Sequence, residues 1–304
     1  PNSFSFNGSR YSVQPYQPQR VPAQITDVYL DINRSWSKED FARIWKEVTA
    51  KKVWVYAGDM TALTSANKDS LFASLQKQSF SLFPFYLVKK PEHSLVVSQS
   101  GAYSPTLSDL DGSPFLASLQ KRFGRGQRVR LFHFGADLSP YIRSLKERRY
   151  FDFETGDPAL LRSLLAKQVF VQDAETDNTV VVHSAGVVVT KQAGDTASNA
   201  PDHLLRLFAY NHILQQLGRK DPTAADSTAL VKEAGEAYVV SPVSSLVVLE
   251  TAEDYEHFGI KDSENSLKNA GIKGKGAVPE PGEWAIIILV GAFFIFFLLK
   301  SKLV

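Results

Sequence analysis

A doubly wound α/β fold with a mainly parallel sheet is predicted for residues 25–192. Short β-rich apolar runs recur along this stretch, and segments with helical apolar spacing, about 10–15 residues long, separate them. Composition agrees: 44% hydrophobic and 12% aromatic residues supply a core and exclude a disordered chain. A length of 304 residues allows one or two domains, at about 100–200 residues each.

Each element has its own signal. Residues 1–24 are polar and proline-containing, sustain no period, and are expected to form an extended linker. Ile25–Ile32 (ITDVYLDI) is mostly apolar and β-rich, as suits a buried strand. Ser37-Lys38-Glu39-Asp40 then caps a helix with Phe41, Ile44, Trp45 and Val48 spaced i, i+3, i+4, i+7. Val53–Ala57 is a second strand, and Lys68–Gln78 a helix with Leu71, Phe72 and Leu75 on one face. Phe80–Tyr86 (FSLFPFY) is expected to give core residues and a Pro-bounded strand. Ser94–Ser98 and Val129–Phe134 are strands, and Pro114–Phe123, Ser139–Lys146 and Pro158–Lys167 are helices. Thr179–Val189 (TVVVHSAGVVV) is strand material with a glycine break.

From 193 the character changes. A helix-strand appendix is expected over 193–260: helices at Asp202–Leu217 and Thr228–Tyr238, then a strand at Ser245–Leu249. Residues 261–283 are rich in Lys, Gly and Ser and are expected to form a flexible stalk. Trp284–Leu299 (WAIIILVGAFFIFFLL) follows without a charge or a proline. As a helix these sixteen residues reach roughly 24 Å, short of a ~30 Å hydrocarbon core, but Lys300 and Lys302 can snorkel. A transmembrane helix over 284–299 with a cytoplasmic basic end at 300–304 is expected, leaving the remainder on the periplasmic side of an inner membrane. The chain starts at Pro1 with no secretory signal, so an export signal is expected upstream.

Charge and residue types exclude several functions. With 34 Lys+Arg against 32 Asp+Glu the net charge is +2, which makes no case for a nucleic-acid partner. Zero Cys excludes disulfides, thiolate metal sites and cysteine nucleophiles. No P-loop, GxGxxG or GxSxG is present, and none of the six histidines sits in a metal-ligand spacing. His203 and His212, nine apart on one helix, fall on opposite faces. The basic run Lys121, Arg122, Arg125, Arg128 and Arg130 reads as a solvated loop, with an anionic lipid or acidic polymer as the alternative partner.

Pro279-Glu280-Pro281, the apolar span and the lysine-bearing end together resemble the PEP-CTERM sorting signal. The resemblance implies that an exosortase-type enzyme recognises the motif while Trp284–Leu299 holds the chain in membrane lipid. Two prolines keep the motif extended and out of the helix. The end departs from the usual Arg-rich cluster by carrying Lys300-Ser301-Lys302, and an ordinary single-pass anchor is the alternative.

Asp202–Ile260 resembles the segment that follows the von Willebrand A domain in VIT-domain proteins, including the inter-alpha-trypsin inhibitor heavy chains. Tyr238–Val248 (YVVSPVSSLVV) carries the likeness. With the tail, it is similar to exosortase-N-system VIT proteins, whose VIT domain is expected upstream. The α/β region is then expected to be von Willebrand A-like. Its adhesion site implies Mg2+ or Ca2+ held by an Asp-x-Ser-x-Ser run, a Thr and a later Asp. Asp31, Asn33 and Ser35 match the run at two of three positions, and Thr61, or Thr64, is the Thr counterpart. Gln99-Ser100-Gly101 stands where the later Asp belongs, which weakens the pull on a hard cation. Asp31 as a strand-end carboxylate without metal is the alternative.

The expected function is non-catalytic: an envelope protein, released to the surface after sorting, that binds a protein or polysaccharide at these loops. An enzyme with an unrecognised site and a structural anchor with no specific ligand are the competing readings.

Overall fold

The computed structural model describes residues 2–123, 128–135, 137–172, 175–195, 197–219 and 224–244. The chain opens on three strands, β1 (Ser3–Phe6), β2 (Ser9–Pro15) and β3 (Gln19–Pro22). This corrects the linker expected over 1–24. The β1–β2 turn is Asn7-Gly8, whose φ angles of 50° and 71° suit a two-residue hairpin. No long apolar run marks these strands because their burial is partial. Their partners lie far along the chain, at 169–172 and 187–193.

The central layer then forms in order: β4 (Asp27–Asp31), α1 (Lys38–Val48), β5 (Lys52–Tyr56), β6 (Met60–Leu63), α2 (Lys68–Leu75), β7 (Ser94–Ser98), α3 (Pro114–Phe123), β8 (Val129–His133), α4 (Pro140–Glu147), β9 (Phe151–Thr155) and α5 (Pro158–Lys167). The six strands make one sheet in the order β6-β5-β4-β7-β8-β9, parallel except for the antiparallel edge pair β5–β6. The protein is therefore a mixed α/β chain with a mostly parallel sheet, as expected. Its strand order reverses between β4 and β7, the switch point of a doubly wound sheet.

Both faces of this sheet are buried, and the strands alternate between them. Val28, Leu30, Leu95 and Val97 pack with α1, α2 and α5, while Tyr29, Val96 and Leu131 pack with α3 and α4. Side chains start the helices: Ser37 Oγ accepts from the Asp40 amide at 3.0 Å, and Asp157 does the same for Leu160 at 2.8 Å. Phe80–Tyr86 forms no strand; it leads into a 3-10 turn at Phe85–Leu87 that sinks Phe83 and Phe85 into the core.

β10 (Val169–Gln172) pairs with β3. β11 (Thr179–Val182) and β12 (Val187–Ala193) form a hairpin that joins the opening strands as an antiparallel sheet, β1-β2-β12-β11. The strand material at 179–189 thus leaves the parallel layer, and the α/β layer ends with α5 rather than at 192. α6 (His203–Arg219) lays Leu204, Leu205 and Phe208 on Tyr11, Val180 and Val189 of this second sheet. α7 (Ala224–Ala237) packs on α6 through Leu230 and Ala234 against Ile213.

Among the described residues no helix is long and apolar enough to cross a membrane. Ser245–Leu249, the stalk, Pro279-Glu280-Pro281, Trp284–Leu299, Lys300 and Lys302 lie outside the described residues.

Candidate functional site

The carboxyl ends of β4, β7 and β8 converge at the switch point, where open α/β sheets bind their ligands. Asp31 ends β4 directly opposite Ser98 at the end of β7. Because paired residues share a face, the Ser98 hydroxyl donates to Asp31 Oδ2 at 2.7 Å. The Ser81 side chain, from the loop after α2, lies near this carboxylate and acts with Ser98 to hold its pKa down. Asp31 is only 1% exposed, and its Oδ1 is buried without a hydrogen-bond partner. Burial pushes its pKa up, and Ser81 and Ser98 only partly oppose the rise.

The loop after β4 is tied down from all sides. Asn33 Nδ2 donates to the Gln99 carbonyl at 2.9 Å, and Asn33 Oδ1 accepts from the Ser35 amide at 2.9 Å. Trp36 Nε1 donates to the Asp31 carbonyl at 2.8 Å, and its ring meets Phe134 edge-on at 4.6 Å between centroids. The loop after β7 comes so close that a Cβ on Gly101 would lie 2.7 Å from Ser35 Oγ, which would have to rotate away.

The structure brings Asp31, Asn33 and Ser35 together but not Thr61. Thr61 lies on edge strand β6, paired with Val55 of β5, and its hydroxyl turns back to the Asp59 carbonyl at 3.4 Å. One strand intervenes between it and β4, so it stands about 10 Å away at the usual strand spacing. Thr64 is used by its own turn, where its hydroxyl and amide meet Asn67.

These donors do not fit Mg2+ or Ca2+. Oxygen ligands are present, but the set has one carboxylate, and its buried setting favours the neutral form. Ser98 directs a proton at that carboxylate, and the Asn33 amide is committed to Gln99 and Ser35. Among the described residues no group of three or more His, Asp or Glu side chains is placed to hold a metal ion.

Ser81, Ser98, Ser100 and His133 were not singled out by sequence. His133 ends β8 buried, and its Nε2 accepts from the Ser100 amide at 3.2 Å and lies 3.0 Å from Ser100 Oγ. Ser100 Oγ in turn accepts from the Ser139 amide at 2.9 Å. A hydroxyl beside an imidazole is the geometry of a nucleophile and its base. Here burial lowers the His133 pKa to about 4, against a smaller upward effect of a Gly135 backbone hydrogen bond. A base that weak is far from the ideal near the working pH. The Tyr141 and Ile142 amides at the start of α4 are spent on Ser104 and Ser139, so they are not free to form an oxyanion hole. Ser100 and His133 lock the loops after β7 and β8 together.

Above this locked base the rim is exposed. Tyr103, in the loop after β7, is 82% exposed; Phe80, next to Ser81, is 41% exposed; and Arg34, in the loop after β4, is exposed, its amide donating to the Gln78 carbonyl at 2.9 Å. Elsewhere the basic run is engaged internally: Arg122 donates to the Val88 carbonyl, Arg130 to Glu92, and Arg128 to Asp152 and Glu175, while Arg125 lies outside the described residues. His203 and His212 do not meet; His212 instead contacts Glu233 of α7 at 2.9 Å.

No family model matches the chain, and no curated protein matches it.

Proposed function

We propose that this chain is an envelope protein whose von Willebrand A-like module binds a protein or surface polymer without catalysis and without a metal. The observation that carries the reading is the doubly wound sheet whose first strand ends in Asp31, with exposed Tyr103, Phe80 and Arg34 on the carboxyl-end loops around it. Exposed aromatics and an arginine on a rigid base are what a binding edge requires, because little entropy is lost when they are covered. The weak base at His133 and the used amides at the start of α4 favour binding over turnover. Pro279-Glu280-Pro281, Trp284–Leu299 and the lysines Lys300 and Lys302 favour tethering in the inner membrane, with the module on the periplasmic side until an exosortase-type enzyme cleaves the tail. The similarity to VIT-protein sequences over Asp202–Ile260 supports the same assignment.

Co-sedimentation of the full chain with purified envelope polysaccharide and, separately, with solubilised surface proteins tests the binding edge. Retention is expected on one of them, unchanged by EDTA and lost with Tyr103→Ala plus Phe80→Ala. Retention that survives both substitutions removes the edge from consideration. Turnover of a hydrolase substrate panel that disappears in Ser100→Ala overturns the non-catalytic assignment. Mass spectrometry of the mature C-terminus tests sorting, which fails if Trp284–Val304 is retained.

A further inference from the structure

A groove of about 760 Å³ opens on the antiparallel sheet, on the face turned away from α6. Its size falls within the range of ligand sites, about 300–1,000 Å³. Side chains alternate along each strand, so Tyr11, Val180 and Val189 face α6 while their neighbours face the groove. Register sets those neighbours in two rows. Gln14, Val188 and Val181 lie side by side across β2, β12 and β11, and Thr190 lies opposite Thr179 two residues further along. Val181 and Val188 make an apolar floor, and Gln14, Thr179 and Thr190 surround it with polar groups.

The chain that leaves β2 makes the wall, through Pro15, Tyr16, Gln17 and Gln19. The Tyr16 amide donates to the Gly186 carbonyl at 2.8 Å, and its ring meets the His183 ring edge-on at 5.6 Å between centroids. Both partners belong to the turn between β11 and β12, so the wall is fastened to the sheet. A wall held in this way loses little entropy when a ligand covers it.

The lining is uncharged. None of its ten residues is Asp, Glu, Lys or Arg, although these make up 22% of the chain. The Gln14, Gln17, Gln19, Thr179 and Thr190 side chains make no hydrogen bond with any described residue. Each amide offers donors and an acceptor, and each hydroxyl offers both. That set matches sugar hydroxyls, which also donate and accept, and it gives an ionic ligand no counter-charge. The C–H face of a pyranose ring suits Tyr16 and the valine floor. An extended peptide is a poorer match. β2 and β12 are interior strands whose backbone groups are spent on their neighbours, so a peptide over this face finds no sheet edge to pair with.

We propose that this groove binds a short neutral oligosaccharide, with its hydroxyls on Gln14, Gln17 and Thr190 and a ring face against Tyr16. The site lies on a different sheet from the carboxyl-edge loops, so it stands if that reading fails.

Calorimetric titration of the full chain with maltohexaose, cellohexaose and chitohexaose, in a detergent without sugar headgroups, tests the assignment. Saturable binding of at least one is expected, with a dissociation constant on the order of 1 mM. The C6-oxidised form of that saccharide, a polyanion, is expected to bind about tenfold more weakly, because it loses hydroxyl donors and meets no cation. Gln14→Ala plus Gln17→Ala removes two exposed side chains and is expected to weaken binding about tenfold at an unchanged melting temperature. Tyr103→Ala plus Phe80→Ala is expected to leave saccharide binding as in the wild type. Absence of saturable binding by all three saccharides up to about 10 mM, equal binding of the oxidised form, or indifference to the paired Gln substitutions overturns the proposal. Loss of binding in the Tyr103 and Phe80 variant overturns it equally, by moving the saccharide to the carboxyl edge.

Discussion

Arg149 and Glu175 together stand in for a missing strand beside Val181. Glu175 Oε1 accepts from the Val181 amide at 3.0 Å, and Arg149 Nη2 donates to the Val181 carbonyl at 2.6 Å. The two side chains are joined to each other at 2.8 Å through Arg149 Nε. β11 is an edge strand, and exposed edge groups invite pairing with other chains. The ion pair closes that edge and fastens the parallel layer, through the residue before Tyr150, to the antiparallel one.

Removing one partner should therefore cost more than an ordinary ion pair. Arg149→Ala leaves Glu175 with Arg128 as its remaining cation and strips the Val181 carbonyl and Asn211 Oδ1 of their buried donor. A loss of about 1–3 kcal/mol in unfolding free energy, the cost of leaving buried acceptors without a donor, is expected from urea denaturation. A loss below about 1 kcal/mol would place the pair among surface bridges and refute the capping role.

His133 makes the fold acid-sensitive. Its pKa of about 4 in the folded protein lies below the ordinary 6.5, so the unfolded chain binds the extra proton first. The stability this provides is fully present above pH 6.5 and is lost as pH falls towards about 4. Across that window the loss is about 3 kcal/mol. Urea midpoints measured between these limits should fall for the wild type and stay flatter in His133→Gln.

Asp31 acts in the opposite direction. Its folded pKa is raised by burial, so the native protein keeps a proton that the unfolded chain releases near pH 3.9, and stability is given up as pH rises above that value. Asp31→Asn should remove this loss and steepen the gain of stability with pH relative to the wild type. Millimolar Mg2+ or Ca2+ should leave the melting temperature of both proteins unchanged; a cation-dependent rise in the wild type that Asp31→Asn abolishes would show a working cation site.

Gly218 marks where α6 meets the parallel layer. A Cβ at this position would lie 1.5 Å from the Arg148 carbonyl oxygen, which is backbone and cannot step aside. Gly218→Ala should destabilise by about 1–3 kcal/mol or more despite the better helix propensity of alanine, read from thermal or urea unfolding. A neutral or stabilising result would mean that the helix end shifts freely.

Much of the parallel layer was legible because its elements carry local signals. β7 (SLVVS) has an apolar Leu-Val-Val centre and is buried along its whole length, and Ser37 caps α1 through Asp40 as its sequence position implies. β1 and β2 were not legible from periodicity, although Asn7-Gly8 is a strong two-residue hairpin signal between them. At the candidate site, Asp31, Asn33 and Ser35 were picked out by their resemblance to the adhesion-site run, whose members lie within five residues of one another. Ser81, Ser98 and His133 are separated from them by long stretches of chain, and no spacing rule links them to Asp31.

The amino-acid sequence by itself determined the α/β alternation, the helix caps and the position of Asp31 at the end of a buried strand, since each depends on neighbours within a turn or two. Only the tertiary structure decided that the opening residues complete an antiparallel sheet with β12. It alone sent Thr61 to an edge strand and brought Ser81 near the Asp31 carboxylate. It also set Arg149 and Glu175 against the edge of β11. These outcomes depend on strand pairing and burial between distant segments, where the free energy lies in contacts that no local pattern records.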